Sequence, residues 1–131
     1  MRAKLAAELL AQARQKPVQE CCGLLAGRDG AITRVFAATN AASDPRTSYE
    51  IAPEELFRLM REIRGAGLAL MGIYHSHPNG ENEPSPRDIE RAYYPDAAYL
   101  ILSPHENAMR PVRAFSIRDE RAVEVEIRIV R

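Results

Sequence analysis

The chain has 131 residues, and its 18 basic side chains balance 18 acidic ones. A nucleic-acid-binding protein usually has a basic excess or a basic face, so we expect no nucleic-acid partner. The composition, 46% hydrophobic and 27% charged, is typical of a globular protein, and the length predicts a single domain over 1–131. No segment approaches the roughly 18 apolar residues of a membrane span, so we expect no membrane partner.

The two cysteines, Cys21 and Cys22, are adjacent in the chain. Neighbouring Cα atoms lie about 3.8 Å apart, which is shorter than the usual disulfide range, so both thiols should be free. The N-terminal segment carries charges on both flanks and lacks the cleavage-site pattern of a signal peptide. These features predict a cytoplasmic protein.

The first third of the chain predicts a helix followed by a hairpin. Apolar residues at four-residue spacing indicate a helix over roughly Arg2 to Gln15. Two β-like runs follow, Cys21–Ala26 and Ile32–Ala37, and the Asp29-Gly30 pair between them is a strong hairpin signal.

The middle of the chain predicts a short strand at Tyr49–Ile51 after a turn-rich loop, and then a second helix that begins at Pro53. The helix can bury a stripe of apolar side chains: Leu56, Phe57, Leu59, Met60 and Ile63. The nearly continuous apolar run Leu68–Tyr74 is typical of a central strand that is buried on both faces.

The last third predicts a third helix from Ser85 and three more strands, at Tyr99–Leu102, Val112–Ile117 and Val123–Val130. The final strand alternates apolar and charged residues. This order of elements predicts an α/β domain in which helices pack against a mixed sheet.

The chemistry is concentrated directly after the central strand. His75 and His77 are two residues apart, so both imidazoles point to one side of the strand end. Two such imidazoles can share a metal ion at about 2.0–2.1 Å each. Asp88, in the first turn of the third helix, is the best candidate for a third ligand. Two histidines and one carboxylate leave one tetrahedral position open, as in a catalytic zinc site.

Each of these residues also has a purely structural interpretation. A His-x-His pair on a strand often faces solvent, and Ser85 to Asp88 is a good helix start, with Ser at the N-cap and an acid three residues on. Three other classes of metalloenzyme fit poorly. Metallo-β-lactamase-type hydrolases need Asp-His where Asn79 and Gly80 stand, and barrel amidohydrolases need about twice this length. Zinc deaminases need a Glu at position 77 and a Pro-Cys-x-x-Cys segment.

The segment His75-Ser-His77-Pro followed by Ser85-x-x-Asp88 resembles the JAMM motif of the MPN (JAB1/MPN/Mov34) metalloprotease family. That family has an upstream Glu at its site, and Glu20, before the strand Cys21–Ala26, matches it. The resemblance covers most of the chain and implies the MPN (cytidine-deaminase-like) fold, a mixed, curved sheet flanked by helices.

The resemblance also implies the roles of the site residues. His75, His77 and Asp88 would bind Zn²⁺. Glu20 would take a proton from the attacking water and pass it to the leaving amine, as general base and then acid. Ser85 would donate a hydrogen bond to the water or the developing oxyanion.

We therefore expect a zinc metallopeptidase that hydrolyses an amide or isopeptide bond. The compact, stand-alone form resembles prokaryotic members of the family, which act on ubiquitin-like or sulfur-carrier proteins. Two alternatives stay open: a non-catalytic MPN scaffold that binds a partner, and a hydrolase of another small amide, such as a cell-wall peptide. Whether Cys21 or His105 contributes to the site is also open.

Overall fold

The computed structural model describes residues 1–131. None of its helices has the length and apolar character that crossing a membrane requires. Its elements follow the predicted order: α1 (Ala3–Gln15), β1 (Cys22–Arg28), β2 (Ala31–Ala38), α2 (Pro53–Gly65), β3 (Ala69–Ser76), α3 (Pro86–Glu90), β4 (Ala98–Leu102), β5 (Val112–Arg118) and β6 (Arg121–Val125).

The six strands form one sheet in the order β2-β1-β3-β4-β5-β6. All neighbouring strands are antiparallel except β3 and β4, which are parallel and are joined by the crossover that contains α3. The sheet is therefore mixed, as the sequence predicts. The crossover brings α3 back beside the C-terminal end of β3, where the two histidines lie.

Each face of the sheet has its own apolar core. On one face, Leu59 and Ile63 of α2 pack against a cluster that includes Leu24 and Ile73. On the other face, α1 packs against Leu25, Tyr74, Leu100 and their neighbours. Because side chains alternate along a strand, residues 20, 22 and 24 are on the α2 face together with 73, 75 and 77.

The β1–β2 connection confirms the predicted hairpin. Asp29 and Gly30 both have positive φ, 55° and 77°, as in the type I′ turn that suits the right-handed twist of two antiparallel strands. Asp tolerates this conformation and Gly adopts it freely.

Two predicted strand assignments are wrong. Tyr49–Ile51 is not part of the sheet, because Glu50 bonds to Asn40 and Ala41 in its own loop. The predicted strand Val123–Val130 ends at Val125. Beyond it the chain turns away from the sheet, and Val130 pairs with the N-terminal residues. Alternation alone does not reveal where a strand loses its neighbour.

Two burial predictions also need correction. Phe57 was expected in the buried stripe of α2, but it is 66% exposed, and Arg61 lies over its ring. The helix contacts the sheet along a narrower stripe centred on Leu59 and Ile63, which are both 3% exposed. The central strand β3 is buried only from Gly72 onward, and its first three residues are exposed or half-buried.

Candidate metal centre

His75 and His77 lie at the C-terminal end of β3, on the face that α2 covers. His75 belongs to the strand, whereas His77 follows it and donates its backbone N–H to Leu102. Both rings are buried, and their Nε2 atoms are 3.0 Å apart. The alternation of side chains along an extended chain is sufficient to bring these two nitrogens together.

Asp88 completes a triangle of donor atoms with the two imidazoles. Its Oδ2 lies 3.1 Å from Nε2 of His75 and 3.1 Å from Nε2 of His77. The start of α3 fixes this carboxylate, because Oδ2 also accepts the backbone N–H of Ser85 at 2.9 Å while Ser85 Oγ accepts that of Asp88 at 3.1 Å. This reciprocal pair is a capping box, so one motif both starts the helix and orients Asp88.

Glu20 lies two residues before the start of β1 at Cys22. In the sheet, Cys22 lies directly opposite His75, so Glu20, two residues earlier, is on the same face as the imidazoles. Ligand atoms of Glu20, His75 and His77 all lie within 4.8 Å of one another. The Glu20 side chain is only 7% exposed, and its Oε1 has no hydrogen-bond partner in the protein.

Burial and the nearby charges determine the protonation of the cluster. Burial raises the pKa of Glu20 to about 7, and the charge of His77 opposes this only in part. Burial also raises the pKa of Asp88, but hydrogen bonds from the two imidazoles outweigh it and hold that pKa below its usual range. Burial lowers the pKa of His75. The cluster therefore combines an ionised carboxylate with a neutral imidazole, and Glu20 titrates near neutrality.

The donor set fits zinc. Two imidazole nitrogens and one carboxylate oxygen are typical of a catalytic zinc site, and the buried Oε1 of Glu20 faces the same space without a partner. Nδ1 of His77 donates to the Glu81 carbonyl oxygen at 2.9 Å. When His77 is neutral, this bond makes Nε2 the ring nitrogen that could bind a metal, which is how a second interaction selects the ligating tautomer. The hydrogen bond from Nε2 to Asp88 instead requires the protonated ring, and although burial opposes it, this bond helps to raise the pKa of His77.

Several residues that support the cluster were missed by sequence reasoning. The Tyr49 ring stacks on His75, with ring centroids 4.3 Å apart. Asn82 is buried and donates to the carbonyl oxygens of Ile101 and Arg110, which holds the loop from which Glu81 contacts His77. Nothing in the sequence distinguishes Asn82 from a solvated loop residue, because its carbonyl partners are distant in the chain.

The cysteines and the third histidine lie outside the cluster. Cys22 is buried, with 1% of its surface exposed. However, Cys22 lies on the face of His75, whereas Cys21 packs against the core under α1. The Cys21 side chain therefore lies on the opposite face of the sheet from the cluster. His105 is exposed and lines a separate cavity beside the 80–82 loop.

A cavity of about 350 Å³ lies beside Asp88. Its floor is apolar and includes Leu24, Ile73 and the Tyr99 ring, and the segment Tyr49–Ile51 forms part of its wall. A cavity with an apolar lining and a polar cluster at one end can hold an extended peptide with its reactive bond near the cluster.

Ser85 caps α3 and also bonds to the Asp88 carboxylate, and these two contacts lead to a prediction. Ser85→Ala removes a helix cap that typically contributes about 1 kcal/mol to stability, and it frees the backbone N–H of Asp88 from its partner. We expect a lower melting temperature together with weaker zinc retention, because the carboxylate is oriented by the same turn. Thermal unfolding and chelator competition measure the two effects. Unchanged zinc retention would show that the cap does not orient Asp88.

Comparison with known proteins agrees with this geometry. A desampylase from Haloferax volcanii is 43% identical over 90 residues, which cover 67% of this chain and 65% of that protein. The chain thus spans just under two thirds of that relative. The CysO-cysteine peptidase of Mycobacterium tuberculosis is 33% identical over 132 residues, 99% of this chain and 90% of that protein.

The fold and the family are established by two further matches. A crystal structure of a JAB1/MPN domain protein from Archaeoglobus fulgidus superposes with a TM-score of 0.65 at 17% identity, covering 97% of this chain and 94% of that one. This confirms the predicted MPN fold. The model of the prokaryotic homologs of the JAB domain matches residues 2–118, and the chain therefore belongs to this prokaryotic JAMM/MPN family.

Proposed function

We propose that this chain is a zinc-dependent peptidase that hydrolyses the amide bond after the C-terminal glycine of a ubiquitin-like or sulfur-carrier protein conjugate. The released group would be an amino acid such as cysteine or a lysine-linked partner. The names of the Haloferax and Mycobacterium relatives support this substrate class. We further propose that residues 1–131 act as one domain in the cytoplasm, in keeping with two free thiols.

The observation that carries the proposal is the convergence of three donor atoms. Nε2 of His75, Nε2 of His77 and Oδ2 of Asp88 lie 3.0–3.1 Å from one another. We assign these three residues as the zinc ligands and Glu20 as the general base. Bound zinc would supply a Lewis acid for the scissile carbonyl and lower the pKa of water to about 7.

The protein's own groups carry the remaining steps. Glu20 accepts the proton of the attacking water and returns it to the leaving amine, which needs a carboxylate held away from solvent and close to both groups. Its buried, unpartnered Oε1 meets that requirement. The Ser85 hydroxyl uses its oxygen to cap Asp88, so its O–H remains available to donate to the developing oxyanion.

The segment Tyr49–Ile51 offers a docking edge for the tail of the carrier protein. The backbone groups of Glu50 bond inward to Asn40 and Ala41. The backbone N–H and C=O groups of Tyr49 and Ile51 have no partner in the protein. This alternation is that of an edge strand, on which an extended peptide can add as a further strand. Glycines beside the scissile bond let the tail approach the buried histidines closely.

The carrier's folded body should contribute to binding. A free Gly-Gly tail is flexible, so ordering it costs conformational entropy, and contacts to the body must offset that cost. We expect an intact carrier–cysteine conjugate to be cleaved with a much higher kcat/KM than its isolated C-terminal peptide. Mass spectrometry of both reactions with the zinc-loaded protein measures the ratio.

Two outcomes would contradict this substrate assignment. Equal cleavage of the short peptide would show that the body of the carrier does not dock. Absence of cleavage of every Gly-Gly conjugate by zinc-loaded protein would favour another amide substrate, such as a cell-wall peptide, or a scaffold without activity.

A further inference from the structure

Glu20 is held by a loop and not by the sheet. It precedes β1, which begins at Cys22. Its backbone N–H donates to the carbonyl oxygen of Pro45 at 2.7 Å, and its own carbonyl oxygen accepts from the side chain of Asn40 at 3.0 Å. Both partners belong to the connection between β2 and α2. The β1–β3 register brings Glu20 to the side of the imidazoles, and this connection then fixes its backbone there.

Asn40 links the parts of that connection through one side-chain amide. Nδ2 donates to the carbonyl oxygens of Glu20 and Ser48, at 3.0 and 2.9 Å. Oδ1 accepts the backbone N–H groups of Ala42 and Glu50, at 3.0 and 3.1 Å. An Asn side chain has two donor hydrogens and two acceptor lone pairs, so all four are used.

The four bonds join two segments that meet at the metal centre. One contains Glu20. The other contains Tyr49, between two residues that Asn40 binds, and the Tyr49 ring stacks on His75. A side chain that only closed a surface turn would bond within its own turn, as Asn40 does with Ala42. The bond to Glu20, twenty positions away in the chain, has no such local purpose.

We propose that Asn40 is a positioning residue for the general base: its amide fixes the backbone of Glu20 against the segment that covers His75, and thereby sets where the Glu20 carboxylate lies. This inference rests on the proposed function. Asn40 itself touches neither the imidazoles nor Asp88. An effect that passes through Glu20 should disappear once Glu20 is replaced, which separates it from an effect through Tyr49 and His75 or on folding.

The test is a double-mutant cycle between Asn40→Asp and Glu20→Gln, with hydrolysis of a carrier–cysteine conjugate as the readout. Asp keeps the shape of Asn but replaces the donor Nδ2 by an oxygen that faces two carbonyl oxygens. A displacement near 1 Å can cost about 100-fold in rate, so Asn40→Asp should lower kcat by roughly 10- to 100-fold in the wild-type background. In the Glu20→Gln background it should change kcat by less than about threefold, because residues that act as a unit are not additive.

A structural readout accompanies the kinetic one. Arg46 is exposed in the same connection. Loss of the Asn40 bonds should therefore speed tryptic cleavage after Arg46, and mass spectrometry measures the rate of this cleavage. Asn107→Asp makes the same chemical change at an exposed residue whose side chain has no hydrogen bond, and it should alter neither kcat nor this cleavage. If Asn40→Asp fails to fold, the cycle is repeated with Asn40→Ser, which retains a small polar group.

The outcomes are distinct. A kcat loss from Asn40→Asp that is equal in both backgrounds, or a wild-type kcat in the single variant, would overturn the positioning role. A zinc-loaded wild-type protein that hydrolyses no conjugate would instead overturn the proposed function. Faster cleavage after Arg46 together with a non-additive kcat loss supports the inference.

Discussion

Glu20→Gln is expected to lower kcat by roughly 10²–10⁴-fold, the usual contribution of a general base, while the protein keeps its fold and its zinc. The amide has nearly the same shape as the carboxylate, so the packing around this buried side chain should persist. However, the Gln amide cannot accept the proton of the attacking water. Steady-state kinetics on a carrier conjugate, zinc analysis of the same sample and thermal unfolding together measure the three parts of this prediction.

The control for Glu20→Gln is Glu90→Gln at the exposed end of α3, which makes the same change away from the cluster. It should leave kcat unchanged. If Glu20→Gln turns over within a few-fold of wild type, Glu20 has no part in the proton transfer. If the variant loses its zinc, Glu20 is a ligand, and the assignment of the two carboxylates must be exchanged.

Substitution of the proposed ligands should have a still larger effect. His75→Ala, His77→Ala and Asp88→Ala each remove one of three converging donor atoms, and two remaining ligands hold zinc weakly. We expect each variant to lose stoichiometric zinc after dialysis, and hydrolysis to fall to the background rate. Elemental analysis and the conjugate assay measure both losses, and added zinc should restore wild-type protein that has been treated with a chelator.

His105→Ala is the matched control, because His105 is an exposed histidine outside the cluster. It should bind one zinc per chain, as we expect of the wild type. Retention of stoichiometric zinc by a variant that combines His75→Ala, His77→Ala and Asp88→Ala would show that the ligand set is wrong. Loss of zinc in His105→Ala would show that the exposed cavity, and not the end of β3, holds the metal.

The sequence contained enough information to identify the main elements and the residues that meet at the site. Local rules explain this success. Alternation along a strand places His75 and His77 on one side, and the Ser85 to Asp88 pattern marks a helix start regardless of what surrounds it. The Asp29-Gly30 turn depends only on local backbone preferences. Glu20 was different, because only its resemblance to a family motif distinguished it from a surface carboxylate.

Only the tertiary structure determined the contacts between segments that are distant in the chain. The register of β1 against β3 sets Cys22 opposite His75, and so brings Glu20 to the imidazoles and turns Cys21 away. Tyr49–Ile51 has the composition of a strand, yet a side-chain amide from Asn40 takes the bonds that a neighbouring strand would make. Strand alternation and turn chemistry are properties of a few consecutive residues. Register and long-range hydrogen bonds depend on how the whole chain packs, and no short sequence window contains that information.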